Sequence, residues 1–311
     1  MIVTSPCAAA ARASALLPLA VGPAMSASGG RSALFIATVV AAEQLTEQSL
    51  LRALPHARDV ELVECGVFRM SFEGDAAAAR AGLEQLKADV FVRPADPPAP
   101  QLLIADMDST MITVECIDEL ADYAGVKPQV AEITERAMRG ELDFAGSLRA
   151  RVALLKGLPV DVLARCYEER VRIMPGANTL IRTLKAQGVR TLLVSGGFTF
   201  FAEYVASKIG FDAFRANVLG VAGGALDGSV VHPILGAEAK KIALLEQGIE
   251  VAATIAIGDG ANDIPMLQAA GLGIACHGKP KVVAAAGAAV RYGDLTAVLH
   301  GLGVPRETWL G

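Results

Sequence analysis

Three short stretches of this sequence could do chemistry. The first is Asp106-Met-Asp-Ser-Thr110. Carboxylates two residues apart on an extended segment point to the same side. Two like charges held that close repel unless a cation neutralises them or one takes a proton. A hard divalent cation with oxygen ligands does the first. A carboxylate can also attack phosphorus and form an acyl phosphate, while its neighbour protonates the leaving alcohol and later deprotonates water. The same residues suit a plain helix-capping end, since Asp, Ser and Thr are all good N-caps. The second stretch is Ser195-Gly-Gly197, where glycines let backbone amides approach an anion and the serine adds a donor. Alone it also reads as an ordinary tight turn. The third is Gly258-Asp-Gly-Ala-Asn-Asp263. It is one residue away from the dinucleotide pattern, but Asp263 replaces the last glycine and Asp259 puts a negative charge where a pyrophosphate would sit. Acids there suit a metal that bridges to phosphate. Lys240 offers a cation for transferring oxygens, whereas Lys241 reads as a solvated charge.

The elements around these stretches explain their importance. Gln101–Asp106, Arg190–Ser195, Ala253–Gly258 and Leu272–Ala275 are short apolar runs of the kind buried on both faces of a parallel sheet. Helical patterns lie between them, at Ala177–Gln187, Phe200–Ile209, Glu238–Gln247 and Asn262–Ala270. Alternating strand and helix predicts an α/β fold with a doubly wound, mostly parallel sheet. In such sheets ligands sit at the carboxyl ends of the strands, and three of these runs end in a chemical stretch. One interval breaks the alternation. Val114–Glu169 carries only helical signals, roughly four helices, far too long for a loop between strand and helix. It predicts a helical cap at about 113–172, inserted after the first strand of a catalytic domain spanning 101–311.

Upstream, residues 31–94 read as a small α+β module in β-α-β-β-α-β order, a split βαβ unit with a hairpin turning near Gly66. Residues 95–100 are a proline-rich, stiff linker. Residues 1–30 are expected to be a leader without fixed structure, with Met25 an alternative start. Its apolar run is broken by Pro18 and is too short to span a bilayer.

Composition narrows the function. The chain of 311 residues is long enough for two domains. Its 28 basic and 33 acidic residues give a net charge of −5, with no clustered basic footprint for nucleic acid. An acidic protein that handles an anion must concentrate positive charge locally. The five cysteines are widely spaced without a C-x-x-C, which indicates neither a zinc site nor a disulfide framework and fits a cytoplasmic setting.

Together, Asp106–Thr110, Ser195-Gly-Gly-Phe198, Lys240 and Gly258–Asp263 resemble the haloacid-dehalogenase-like hydrolases. Glu115-Cys-Ile-Asp-Glu119, Ile133–Met138 and Phe144–Val152 in the cap resemble the branch of that superfamily acting on O-phosphoserine. The resemblance implies a Mg²⁺-dependent phosphatase that ends serine biosynthesis. In it Asp106 is the nucleophile and Asp108 the general acid/base. Asp106, the Asp108 carbonyl and Asp259 would hold Mg²⁺, with Asp263 in support. Ser195, Gly196 and Lys240 would bind the phosphoryl group, with Asn262 close by. Glu115 would meet the substrate ammonium and Arg151 its carboxylate; without the resemblance these two read as exposed helix charges. Met138 and Phe144 would shield the site when the cap closes. By the same resemblance the N-terminal module is of an ACT-like, amino-acid-sensing type, although the residues themselves show only a packing or dimerising unit, so a homodimer stands among the expectations. No nucleic-acid or membrane partner is expected. Two alternatives stay open: a relative that acts on another small phosphomonoester or passes the phosphoryl group to an alcohol, and a non-catalytic sensor. Intact Asp106 and Asp108 speak against the second.

Overall fold

The computed structural model describes residues 33–311, so the leader expectation lies outside the described residues. The chain opens with β1 (Leu34–Ala41), α1 (Glu47–Ala53), β2 (Arg58–Glu64), β3 (Val67–Glu73), α2 (Ala76–Leu83) and β4 (Ala88–Pro94). This is the β-α-β-β-α-β order read from the sequence. Its helices begin where the capping residues say they should. Thr46 accepts the Ser49 amide, and Asp75 accepts those of Ala77 and Ala78.

The larger unit follows: β5 (Leu102–Ala105), then α3 (Cys116–Tyr123), α4 (Lys127–Met138), α5 (Phe144–Ala153) and α6 (Asp161–Arg170). Then come α7 (Ala177–Ala186), β6 (Arg190–Phe198), α8 (Thr199–Ile209), β7 (Ala213–Ala222), β8 (Ala225–Val231), α9 (Ala237–Leu245) and β9 (Thr254–Gly258). The chain closes with α10 (Ile264–Ala269), β10 (Leu272–Cys276), α11 (Pro280–Ala285), β11 (Ala288–Val290) and α12 (Ala297–Leu302).

Among the described residues eleven strands join one sheet, in the order β2-β3-β1-β4-β11-β10-β9-β5-β6-β7-β8. From β11 to β7 the neighbours run parallel; β8 and the four module strands add antiparallel edges. The expected doubly wound α/β fold is therefore present. Side-chain alternation on the central strands explains why it is wound on both faces. Leu103 and Ala105 of β5 enter one apolar core with Ile255 and Ile257 of β9, while Leu102, Ile104 and Ala256 enter the other. Each strand must bury both sides, so each reads as an unbroken apolar run.

The four helices α3–α6 form the cap, and its two connections to the core lie side by side. Ile112 bridges Ile173, the Thr113 amide donates to Arg172 O at 2.9 Å, and the Met174 amide donates to Met111 O at 2.9 Å. The hairpin β7–β8 leans on the cap, where the Leu226 amide donates to Leu158 O at 2.9 Å.

The module is fastened to the core rather than tethered. Asp89, 1% exposed, accepts the backbone amides of Arg291 at 2.6 Å, Tyr292 at 3.0 Å and Gly293 at 2.8 Å. Beside it β4 pairs with β11, Val90 opposite Ala289. Arg80 caps the carboxyl end of α11 through Ala286 O and pairs with Glu84, which also meets Arg291 at 3.2 Å. Cys116, Cys166 and Cys276 are free and buried. No helix among the described residues is long and apolar enough to cross a membrane.

Candidate active site

The sheet register puts the chemical stretches side by side. Ala105 of β5 lies opposite Ile257 of β9 and Leu193 of β6. The next residue on each strand end is therefore Asp106, Gly258 and Val194, with Asp259 and Ser195 one step on. The Asp106 amide donates to Ile257 O at 2.9 Å and continues the ladder. Beyond it the chain wraps tightly around one carbonyl. Met107 O accepts the amides of Thr110, Met111 and Ile112, and Ser109 takes φ 54° in the left-handed region. Met107 is fully buried in the core, so Asp106 and Asp108 face the cleft as their spacing predicts.

Lys240, on the first turn of α9, has no exposed surface at all. Its Nζ lies 2.6 Å from Asp106 Oδ1 and 2.6 Å from Asp263 Oδ1. Asp263 also accepts the Gly260 amide at 2.9 Å, so each of its oxygens has a partner. Asp106 Oδ1 has the lysine ion pair but no hydrogen bond of good geometry. Thr110 Oγ1 donates to Asp259 Oδ1 at 2.9 Å. Ser195, fully buried, accepts the Gly197 amide at 2.8 Å. Gly197 brings its strand end onto the general-acid candidate: a Cβ there would lie 2.9 Å from Asp108 Oδ2.

The electrostatics follow from burial and crowding. Burial first, then the Asp263 charge, push the Asp106 carboxyl well above the usual range, and Lys240 only partly opposes them. Burial, then Glu115, push Asp108 up to about 8, against a smaller opposing effect of hydrogen bonding from Cys116. Asp259 rises to about 6, again by burial and then Asp263. Burial alone would lower Lys240, but the Asp106 and Asp263 charges outweigh it and raise it above its ordinary value.

These groups fit a divalent cation. Asp106, Asp259 and Asp263 each offer an oxygen within 4.8 Å of the others. Three carboxylates around one lysine leave an excess of negative charge that a hard cation relieves.

The cap closes over this cluster. Asp143 caps α5 by accepting the Gly146 amide at 2.6 Å, which sets Phe144 at the start of the helix. A Cβ on Gly196 would lie 3.0 Å from the Phe144 ring and 3.8 Å from Asn262 Nδ2. Glu115, at the N-cap of α3, accepts the Ser109 hydroxyl at 2.8 Å and is thereby fixed to the Asp106–Thr110 turn. Arg151 is largely enclosed. Burial lowers its pKa while the charges of Asp118, Glu115 and Asp108 act to raise it, yet it makes no ion pair with any of them. Met138 is 66% exposed, with Lys279 Nζ 3.8 Å from its sulfur.

Asp106, Asp108, Asp259, Ser195, Gly196, Lys240 and Asn262 thus come together at neighbouring strand ends, with Phe144 and Glu115 brought to them from the cap, whereas Met138 stands largely exposed. Lys241 lies outside this group, paired with Glu238 on the surface. Two contributors escaped the sequence reading of the site, and a third was given a smaller part than it has. Thr110 holds Asp259; it stands in the first stretch, so its hydroxyl was the available signal. Asn217, 1% exposed, donates to Gly196 O at 2.8 Å and Leu235 O at 3.2 Å and accepts the Leu235 amide, tying the Ser195 loop to the segment before α9. Nothing in its local sequence announces that. Asp263 was placed only in support, but it anchors Lys240.

The family model for haloacid dehalogenase-like hydrolases matches residues 103–268, more than half of the chain, and a second model of the same description matches 237–302. The chain belongs to the haloacid dehalogenase-like hydrolases. It is 46% identical over 204 residues to a phosphoserine phosphatase of Vibrio cholerae, which covers 64% of this chain and 62% of that protein's length. The fold matches a crystal structure of a probable phosphoserine phosphatase from Vibrio cholerae with TM-score 0.72 and 36% identity, over 89% of this chain and 88% of the other. It also matches a solved phosphoserine phosphatase described as a phospho-aspartyl intermediate analogue, with TM-score 0.61 and 39% identity, over 65% and 98%.

Proposed function

We propose that this chain hydrolyses O-phosphoserine to serine and phosphate, the last step of serine biosynthesis, through an aspartyl phosphate on Asp106. The observation that carries the mechanism is the placing of Asp106: buried at the end of β5, 2.6 Å from a buried lysine and beside two further acids. The relatives named above support the substrate.

The chemistry takes two displacements. Asp106 attacks phosphorus, forming an acyl-phosphate P–O bond as the ester P–O bond to serine breaks. Asp108, kept protonated by its buried setting, gives its proton to the departing serine oxygen. The Asp108 carboxylate then takes a proton from water, whose oxygen attacks phosphorus. The acyl-phosphate bond breaks, Asp106 is released and inorganic phosphate leaves. Lys240, the Ser195 hydroxyl and the Gly196 amide hold the phosphoryl oxygens, with Asn262 beside them. Mg²⁺, held by Asp106, Asp259 and the Asp108 carbonyl, would neutralise the clustered negative charge of site and phosphoryl group. Glu115 meets the substrate ammonium. Arg151, with no ion pair among the described residues, grips the carboxylate in bidentate fashion. Phe144 and the cap exclude water during transfer.

The test is phosphate release from a panel of phosphomonoesters, with Mg²⁺ and with chelator, for the wild type and Asp106→Asn. Turnover of O-phosphoserine that vanishes in the variant and with chelator is expected. Activity surviving Asp106→Asn overturns the mechanism, and preference for a sugar phosphate overturns the substrate. Arg151→Ala should abolish the preference for O-phosphoserine over O-phosphoethanolamine, which lacks the carboxylate; an unchanged preference removes that role.

A further inference from the structure

Ser147 is an anomaly in a packed helix. It is 2% exposed, and its Oγ has no hydrogen-bond partner among the described residues. An unmet buried hydroxyl costs free energy, so its retention calls for a partner absent from the protein itself. Its position indicates which partner. Phe144, Ser147 and Arg151 stand at i, i+3 and i+7 along α5 and so share a stripe of the helix. One end of that stripe covers Gly196 of the phosphoryl-binding loop, through Phe144. The other end is Arg151, whose charge is felt by Asp108 and Glu115. Ser147 lies between them.

The chemistry of the two neighbours is complementary. Arg151 has donors only. Its Nε turns back to the Ser147 carbonyl at 3.4 Å, leaving the two terminal nitrogens for an incoming group. A carboxylate gripped by those nitrogens still has lone pairs to spare. A serine O–H beside it supplies a third, charge-assisted donor.

We infer that Ser147 is a specificity-determining residue that donates its hydroxyl to the substrate's α-carboxylate next to Arg151. The inference rests on the amino-acid phosphomonoester reading given above. It selects carboxylate-bearing phosphomonoesters over those carrying an ammonium alone.

The test compares wild type with Ser147→Ala on O-phosphoserine and O-phosphoethanolamine in the presence of Mg²⁺. Loss of one hydrogen bond to a charged group should lower the ratio of kcat/KM for the two substrates roughly tenfold, chiefly through KM for O-phosphoserine. The thermal midpoint should not fall, because alanine removes an unmet polar group. An unchanged ratio, or an equal loss on both substrates, overturns the inference. A wild type that shows no preference for O-phosphoserine sinks the substrate reading instead, which separates the two failures.

Discussion

Asp89 and Asp106 are both aspartates almost wholly withdrawn from water, at 1% and 6% exposure, and each sits at one end of a strand of the same sheet. Asp89 is satisfied by three backbone amides from the loop after β11. Asp106 has a single partner, the Lys240 ammonium 2.6 Å from its Oδ1, and two crowding acids. A buried carboxylate whose lone pairs are filled by fixed amides is spent on holding two regions together. One held by a single lysine, in a field of like charges, is left with a raised pKa and is suited to the proposed nucleophile. The difference lies in the neighbours, not in residue type or depth.

The sharpest way to break this comparison is to neutralise each acid in turn. Asp106→Asn should cost roughly 10⁴-fold or more in turnover, as loss of a covalent nucleophile does. Its unfolding midpoint should hold or rise, because like-charge crowding is relieved. A fall in stability with much activity retained would reverse the roles assigned. Asp89→Ala should do the opposite. Losing three charge-assisted hydrogen bonds and stranding the amides should cost about 3 kcal/mol in urea unfolding, with kcat close to wild type.

The third prediction concerns pH. Asp108 and Asp259 are pushed up to about 8 and about 6. Over the interval from the ordinary carboxylate range to those values, the folded metal-free protein holds protons that the unfolded chain has released. Its stability must therefore decline as pH rises through that window. The expected loss is on the order of 1 kcal/mol or more, read as a falling melting temperature from pH 5 to 8. Added Mg²⁺ should flatten the curve. A metal-free protein that gains stability over the same range contradicts the electrostatics described above. The smallest effect belongs to Arg291→Ala. Its pair with Glu84 is partly exposed, 28% and 21% at the side chains, and should be worth under about 1 kcal/mol.

What was legible in the sequence follows the same division. The strand ends were readable because a central strand buries both faces and must then stop at polar residues. Asp106, Asp108, Ser195 and Asp259 all stood at such stops. The four helices between β5 and α7 were readable from helical signals sustained too long for a loop. The fastening of the module was not. Asp89 sits in an apolar run and looks like an ordinary outward-facing residue, since the amides that fill it lie some 200 residues away. Asn217 was hidden for the same reason: its partners come from the Ser195 loop and the chain before α9, and neither carries a mark of it. Lys240 showed only as a lysine near a helix start; its complete burial depends on two acids from different strand ends.

The single bridge between Val90 and Ala289 also protects the molecule. With β4 in place, the short strand Ala288–Val290 has a neighbour on each side. A fragment cut at the proline-rich stretch would uncover a row of bare amides and carbonyls there, a ready template for pairing with other chains. Such a fragment should clump in solution while still folded, and the small module then acts as a guard against self-association.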